Sequence, residues 1–245
     1  MIQHTEVRYA GNNRNPGNGF GFVPAVRLDA SATLDNVTIS QSDDRGVALN
    51  VGNPTLRSVN ILDGRSFAIS QDLDTHATFD GVTVRGNDGG DRIQLQGGTL
   101  SENRTWDFGG LPVHLSSDLT IGENAEGPVT LTITPGSVIK LPTSGVISAN
   151  PGVLIAEGTA DNPIVFTSFN DDTIGGDSNG DGAETAPARG AWESINLFTE
   201  ESLLQHTEVR YAGNNRNPGN AFGFCLLYTS PSPRDQRGSR MPSSA

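Results

Sequence analysis

A seven-residue pattern recurs in the first half of the chain at intervals of 22 and 23 residues. The segments are LDNVTIS from Leu34, LRSVNIL from Leu56 and FDGVTVR from Phe79, each with apolar residues at its first, fourth and sixth positions. LSENRTW from Leu100 is a weaker match. A repeat of this length indicates small units that bury their apolar surface only by stacking on their neighbours.

A second series of short segments runs in parallel with the first. AVRLDA, GVALNV, SFAISQ, RIQLQG and PVHLSS have their first apolar residues at Val26, Val47, Phe67, Ile93 and Val113. Their alternation of apolar and polar residues is typical of strands, and turn formers such as SQSDDRG and RGNDGGD separate them. The chain is therefore predicted to be an all-β parallel solenoid of about 21–23 residues per turn, with equivalent strands ~4.8 Å apart.

Composition agrees with a thin core and narrows the possible partners. Apolar residues make up only 34% of the chain and glycine is abundant at 30 residues, as a coil with polar corners requires. A net charge of −12 argues against nucleic acid and anionic membrane surfaces as partners. A single cysteine leaves no disulfide framework, and no apolar run approaches the roughly 20 residues of a membrane span.

The region from about residue 111 to 212 carries a resemblance to a known family. PVTLTITPGSVIKL, GVLIAEGTADNPIVFTS and AWESINL resemble successive turns of secreted, right-handed parallel β-helix proteins of the pectin-lyase-like superfamily. The resemblance implies a right-handed coil and a secreted or cell-surface location. It is specific for the fold and not for activity, since the superfamily includes polysaccharide-cleaving enzymes and chains without known chemistry.

A second, much longer repeat links the two ends of the chain. IQHTEVRYAGNNRNPGNGFGF at residues 2–22 returns as LQHTEVRYAGNNRNPGNAFGF at residues 204–224, an offset of 202 residues. Residues 1–224 are therefore predicted to be a single β-helix segment, one permuted super-repeat plus the start of the next, and a fragment of a longer array. A mis-assembled sequence is the alternative.

The last segment, residues 225–245, breaks the repeat abruptly. It resembles translated read-through of a sequencing adapter, and we predict a non-native, disordered tail. A native Ser/Pro-rich tail is the alternative.

The strongest candidate site is an acidic stretch between two predicted strands. Asp177, Asn179 and Asp181 alternate and precede a glycine, which is the D-x-N-x-D-G half of a calcium loop. An EF-hand would place glutamate at the twelfth position, where this chain has Ala188. The sequence therefore predicts a looser Ca²⁺ site or, alternatively, a solvated acidic turn. The further candidate ligands are Asp171, Asp172 and Glu184.

A polar insertion in the first long repeat is the candidate carbohydrate-binding loop. Amide, guanidinium and aromatic side chains lie close together in YAGNNRNPGNGFGF, a combination that contacts sugars. The alternative is a corner insertion capped by its own Asx turns. The predicted binding residues are Asn13, Arg14, Asn15 and Phe20.

No catalytic motif stands out along the chain. Stacked turns could gather Asp43, Asp44 and Asp88, and glycosidases need two carboxyl groups, but acidic residues are common at solenoid corners. We therefore predict a non-catalytic segment of a large secreted or cell-surface β-helix protein, with a structural, adhesive or carbohydrate-binding role. Its predicted partners are a polysaccharide or cell-surface glycan and neighbouring super-repeats of the same chain. The alternative is a polysaccharide lyase or glycoside hydrolase.

Overall fold

The computed structural model describes residues 1–11 and 23–214 of the 245-residue chain, and there every regular element is a β-strand. No helix in this described part is long and apolar enough to cross a bilayer. The strands are, in chain order, β1 Ile2–Arg8, β2 Val26–Leu28, β3 Thr33–Ser40, β4 Val47–Leu49, β5 Thr55–Leu62, β6 Ile69–Gln71, β7 Thr78–Asp80, β8 Thr83–Arg85, β9 Ile93–Leu95, β10 Gly98–Leu100, β11 Arg104–Trp106, β12 Val113–Leu115, β13 Leu119–Ile121, β14 Glu123–Asn124, β15 Gly127–Pro128, β16 Thr130–Ile133, β17 Val138–Leu141, β18 Val146–Ala149, β19 Val153–Glu157, β20 Ile164–Ser168, β21 Ser194–Leu197, β22 Leu203–Gln205 and β23 Thr207–Val209.

The strands stack into a parallel β-solenoid, which confirms the predicted fold class. One sheet of eight strands, the long sheet, runs through the whole coil in the order β2-β4-β6-β9-β12-β17-β20-β23. The N-terminal sheet holds β1-β3-β5-β7, with β8 also paired to β5. Two C-terminal sheets follow, β10-β13-β18-β21 and β11-β16-β19-β22. An antiparallel hairpin, β14–β15, projects from one corner.

The core is the inward half of these strands. Leu34 pairs with Leu56, and Leu56 with Phe79, so the first position of the repeated pattern forms one file along the coil. Val37 and Val59 form the next file and are almost fully buried. Each such apolar side chain contributes about 1.5–3 kcal/mol when removed from water. The pattern of the sequence is thus a direct consequence of one continuous, narrow core.

Two details of the predicted register are wrong. In the second series Val47 pairs with Ile69, so Phe67 precedes the strand instead of opening it. In LSENRTW the inward residues after Leu100 are Arg104 and Trp106, one position later than the pattern requires. The extra residue belongs to the corner, where Asn103 caps the next turn by accepting a hydrogen bond from the backbone of Thr130 at 2.8 Å.

Left-handed residues make the tight corners of the N-terminal sheet. Asn36, Ser58 and Gly81 have φ of 54°, 51° and 63° and occupy equivalent positions in consecutive turns. His4 precedes them with φ of 48°, and its Nδ1 lies 2.7 Å from the Asn36 amide nitrogen. Asparagine and glycine tolerate this conformation best among the residue types, so a single residue can bend the strand without a loop.

The two copies of QHTEVR keep their local shape and change their sheet. His4 and His206 both adopt left-handed φ, at 48° and 46°. In the first copy Thr5 pairs with Val37 in the N-terminal sheet, whereas in the second Thr207 pairs with Ile164 in the long sheet. The second copy forms the next strands of the coil, as the sequence predicts. Its TEV segment, however, lies in the long sheet and not in the sheet that would correspond to the first copy.

Candidate metal centre

An insertion between β20 and β21, residues 169–193, covers part of the outer surface of the long sheet. Ile139 and Leu141 of β17 point into the core, so Lys140 between them points outward. Lys140 is nevertheless fully buried, and its Nζ donates to the carbonyl oxygens of Asp171 at 2.7 Å and Gly176 at 2.8 Å. The insertion therefore folds back over the sheet and is held there by the one lysine of the chain.

Aromatic stacking fixes the start of the insertion. The ring of Phe169 stacks on His114 of β12 with centroids 3.7 Å apart. The guanidinium of Arg92 lies between the rings of Phe67 and Phe169, 4.7 and 4.9 Å from their centroids. Arg92 also donates to the carbonyl oxygen of Ser178 at 2.6 Å. We call Arg92, His114, Lys140 and Asp171, together beneath the insertion, the loop-covered cluster.

Burial shifts the proton affinities of this cluster. Loss of solvent lowers the pKa of Lys140 to about 8, against the opposing charges of Asp172, Asp171 and Asp177. Burial, together with the charges of Arg92 and Lys140, lowers the pKa of His114 to about 3. Neither ring nitrogen of His114 has a hydrogen-bond partner within the described residues. His114 is therefore a neutral, packed ring at neutral pH.

Asp171 anchors the insertion from below. It is fully buried and accepts hydrogen bonds from the hydroxyls of Thr167 and Thr173, each at 2.6 Å. Arg210 of the next turn lies 3.9 Å from the same carboxylate. Burial alone would raise the pKa of Asp171, but the threonine hydrogen bonds and the charge of Arg210 together lower it. Its oxygens are thus committed to protein donors.

The neighbouring carboxylates converge above the surface. Asp172, Asp177 and Asp181 each offer an oxygen within 4.8 Å of the others. Asp177 accepts hydrogen bonds from the backbone of Gly180 at 2.7 Å and Gly182 at 2.9 Å, which closes the turn of the D-x-N-x-D-G stretch. We call Asp172, Asp177 and Asp181 the acidic triad.

Two oxygens of the acidic triad fit a cation. Oδ1 of Asp172 and Oδ1 of Asp181 are buried and accept no hydrogen bond from the described residues. Burial, and then repulsion by Asp177 and Asp181, raises the pKa of Asp172. A divalent cation would neutralise that repulsion and pair both oxygens, and Ca²⁺ takes about six to eight oxygen ligands of this kind. Backbone carbonyls or water would have to complete its shell.

The other predicted ligands lie beside the acidic triad and not in it. Asn179 directs its amide nitrogen to Asp181 at 2.8 Å and to Thr185 at 3.1 Å. Thr185 also donates its hydroxyl to Asp181. The side chain of Glu184 is exposed, and its backbone nitrogen donates to the backbone carbonyl oxygen of Asp181 at 3.3 Å.

A cleft of about 530 Å³ opens next to the acidic triad. Its walls come from the insertion at Gly175–Gly180 and from the corners at Gly86–Asp91 and Leu111–Pro112. Asp91 accepts hydrogen bonds from the backbone of Gly86 and Asn87, whereas Asp88 is exposed at the cleft. The cleft is therefore acidic on both sides.

The remaining predicted residues are elsewhere or beyond what is described. Asp43 forms an ion pair with Arg65 at 2.6 Å, while Asp44 lies beside Arg45 at 3.6 Å. Within the described part of the chain, Asp43, Asp44 and Asp88 do not form a metal-binding group. The carbohydrate-binding candidates lie outside the described residues; they are Asn13, Arg14, Asn15 and Phe20.

The sequence did not reveal the basic residues beneath the insertion. Arg92, His114 and Lys140 lie in three successive turns, and only the strand register brings them together. An outward lysine in a dense strand segment was the available signal. Comparison with protein-family models, curated proteins and solved structures found no match for the chain.

Proposed function

We propose that this chain is a non-catalytic segment of a secreted or cell-surface β-solenoid, with a structural, adhesive or glycan-binding role. Resemblance to right-handed pectin-lyase-like coils supports the location and the hand, and right-handed crossovers are favoured between parallel strands. The fold supplies a rigid, elongated body whose backbone groups are satisfied by stacking.

One observation carries the non-catalytic role. Lys140 and His114, the outward groups of the long sheet best suited to proton transfer, are buried beneath the insertion and hold it in place. A catalytic acid or base must reach the proton that it transfers. The arrangement instead favours a permanent cover over this surface.

We further propose that Ca²⁺ binds the acidic triad and fastens the insertion. The support is the pair of buried, unpartnered oxygens on Asp172 and Asp181 in a turn with half of a calcium motif. Because the ion would bind the folded turn and not the unfolded chain, binding adds to stability by mass action.

Polysaccharide binding and cleavage are tested together. The chain is incubated with a panel of neutral and acidic polysaccharides, and retention and polymer length are followed by co-sedimentation and size-exclusion chromatography. The expected result is retention of at least one polymer at constant length. Shortening of any polymer would favour the lyase or hydrolase alternative, and no retention would leave a purely structural role.

Calcium is tested by unfolding in the presence of Ca²⁺ or of a chelator. At roughly 100-fold above Kd, Ca²⁺ should raise the free energy of unfolding by about 2.7 kcal/mol. Asp181→Asn should abolish the increase, whereas the control Glu184→Gln, an exposed acid on the same insertion, should retain it. Equal stability with and without the ion would identify a plain acidic turn.

Location has its own test. Antibodies to the chain should label intact source cells or recover the protein from the medium. Recovery only after cell lysis would contradict the proposed secretion.

A further inference from the structure

A seam crosses the solenoid between two of its turns. The N-terminal sheet ends at β7 and β8, and the C-terminal sheets begin at β10 and β11, so neither sheet continues across this level. The long sheet alone runs on, through β6, β9 and β12. A cleft of about 310 Å³, the seam cleft, lies at this interruption. It is lined by residues that include Gln71, His76, Phe79, Arg104, Trp106 and Phe108.

Gln71 occupies a core position of the long sheet. Its register neighbours are Leu49 and Leu95, both fully buried in the apolar core. Gln71 itself is 5% exposed, and its amide nitrogen donates to the carbonyl oxygen of Thr75 at 3.1 Å. Its Oε1 is buried and accepts no hydrogen bond from the described residues.

Arg104 is the inward counterpart on the other side of the seam cleft. It pairs in register with Leu131, a fully buried core residue, and its own side chain is 3% exposed. The closest acceptor for its guanidinium is the carbonyl oxygen of Asp74, at 3.5 Å from Nη1. The carboxylates of Asp74 and Glu102 are 4.0 and 3.9 Å away, beyond hydrogen-bond distance. Nε is buried and donates to nothing in the described chain.

Three aromatic rings complete the wall. Phe108 lies 6.3 Å from Phe79 and 5.8 Å from Trp106 between ring centroids, in tilted contacts. The seam cleft thus combines these rings with polar side chains, among them Gln71 and Arg104, whose unpaired acceptor and donor are buried in its wall. Aromatic side chains beside placed polar groups are also found in small-molecule sites.

Gln71 and Arg104, the polar pair, lower the stability of the fold if they have no other role. An unpaired buried donor or acceptor destabilises a protein by about 1–3 kcal/mol, and leucine occupies the neighbouring position in both files. The cleft volume of about 310 Å³ is also roughly ten times the share of one water molecule in the liquid. A ligand larger than water would account for both the polar residues and the space.

We propose that the seam cleft binds the ring of a neutral sugar. A hydroxyl group donates and accepts, so hydroxyls of one sugar can pair with Gln71 Oε1 and with Arg104 Nε, and the aromatic wall packs against the C–H face of the ring. The rim carboxylates of Asp74 and Glu102 disfavour an anionic ligand. The inference deepens the glycan-binding part of the proposed function and rests on it for the identity of the polymer.

The two tryptophans of the chain provide the experiment. Trp106 lines the seam cleft, whereas Trp192 is buried at the end of the insertion and donates to the carbonyl oxygen of Arg210. In protein labelled with ¹⁵N-tryptophan, neutral methyl glucoside, galactoside and mannoside are titrated to about 100 mM, enough to saturate a site with Kd of about 1 mM. At least one should shift the Trp106 indole signal saturably and leave that of Trp192 unchanged.

Two variants tie the signal to the polar pair. Gln71→Leu and Arg104→Leu copy the neighbouring core residues, so both should fold with an unchanged or higher melting temperature and weaken binding at least tenfold. Arg104→Lys retains the charge and should bind weakly as well, which keeps the test decisive if a leucine variant does not fold. Full binding by the leucine variants would overturn the proposal.

The ligand arms separate the other outcomes. No Trp106 shift with any hexoside would show a cleft filled by water only. A shift with glucuronate or sulfate alone would show an anion site, and either result overturns the proposal. If the parent chain retains a polysaccharide and the leucine variants retain it equally, the seam inference fails and the proposed function stands. A hexoside shift without polysaccharide retention would support the seam inference and remove only the glycan-binding part of the proposed function.

Discussion

Two buried cationic residues of this solenoid are satisfied to very different degrees. Lys140, in the loop-covered cluster, donates to two carbonyl oxygens at 2.7 and 2.8 Å. Arg104, at the seam cleft, has no acceptor nearer than 3.5 Å among the described residues. Both lie on strands of one coil, but the side chain of Lys140 points away from the core and that of Arg104 points into the core.

The difference follows from the backbone of a stacked parallel sheet. Strand carbonyls are bonded to the next turn, so an inward polar side chain finds few acceptors in the core. An insertion outside the sheet has free carbonyls and can wrap around a cation. The inward polar residues Gln71 and Arg104 therefore lie at the level where the sheets beside the long sheet are interrupted, and this is where we propose a ligand site.

Acid unfolding should give the largest difference between the loop-covered cluster and the seam cleft, because each contains one histidine, His114 and His76 respectively. The unfolded chain binds a proton near the ordinary histidine pKa of 6.5, but folded His114 binds it only near about 3. Stability from neutral His114 is thus complete above pH 6.5 and is lost as the pH falls through about 3, by about 5 kcal/mol in all. His114→Phe should flatten this loss in urea unfolding measured across that pH range.

The seam histidine is the matched control. His76 is 45% exposed, so burial, followed by the charge of Arg104, lowers its pKa without enclosing the ring. His76→Phe should leave the acid limb of the wild-type curve intact. If His76→Phe reduced the acid loss of stability as much as His114→Phe does, the two histidines would not differ in the way proposed.

Removing each cation should have opposite consequences. Lys140→Met leaves the carbonyl oxygens of Asp171 and Gly176 buried without their donor, and should cost about 3 kcal/mol. Arg104→Leu should cost nothing or stabilise the fold, since it removes a poorly paired charge from the core. Chemical unfolding of both variants measures the contrast. A larger loss for Arg104→Leu would show that the arginine is structural.

Alkaline pH should stabilise the fold through Lys140. Folded Lys140 loses its proton near pH 8, whereas the unfolded chain keeps that proton to about pH 10.5. The unfolded state binds more protons between these values, so stability should rise with pH there, by up to about 3 kcal/mol. Because the chain has a single lysine, one ¹³C-lysine NMR signal reports its pKa directly. An ordinary pKa would mean that the insertion does not exclude solvent.

The sequence predicted the regular turns of the solenoid far better than the places where the repeat is shifted or changes sheet. Leu34, Leu56 and Val59 lie in the predicted inward files because stacking imposes one period on every turn. The shift at LSENRTW could not be predicted, since one extra corner residue moves the inward positions and places Arg104 in the core. The change of sheet between Thr5 and Thr207 is also invisible to sequence, because the two segments are identical and only their neighbours differ.

The candidate sites show the same limit. The acidic triad includes Asp177 and Asp181, which lie close in sequence and share one turn, so a local motif could predict them. Gln71 and Arg104 come from different turns and look like ordinary polar residues of short strands. Only the register identifies them as core positions.

A pair of adjacent glycines provides the smallest and most local test of the seam. Gly109 and Gly110 both have left-handed φ, at 61° and 82°. A Cβ on Gly109 would lie 3.1 Å from the Phe79 carbonyl oxygen, whereas one on Gly110 would meet nothing within 4 Å. Gly110→Ala should therefore cost about 1 kcal/mol for backbone strain alone.

Gly109→Ala should cost more, roughly another 1 kcal/mol, because the loop over the seam must move away from Phe79. It should also shift the Trp106 indole signal, which Gly110→Ala leaves in place, since Trp106 packs on the same aromatic wall. Urea unfolding and the ¹⁵N-tryptophan spectrum give the two measurements. Equal costs and an unmoved Trp106 would mean that the loop does not close on the seam, and the aromatic wall would then lose its role in shaping the cleft.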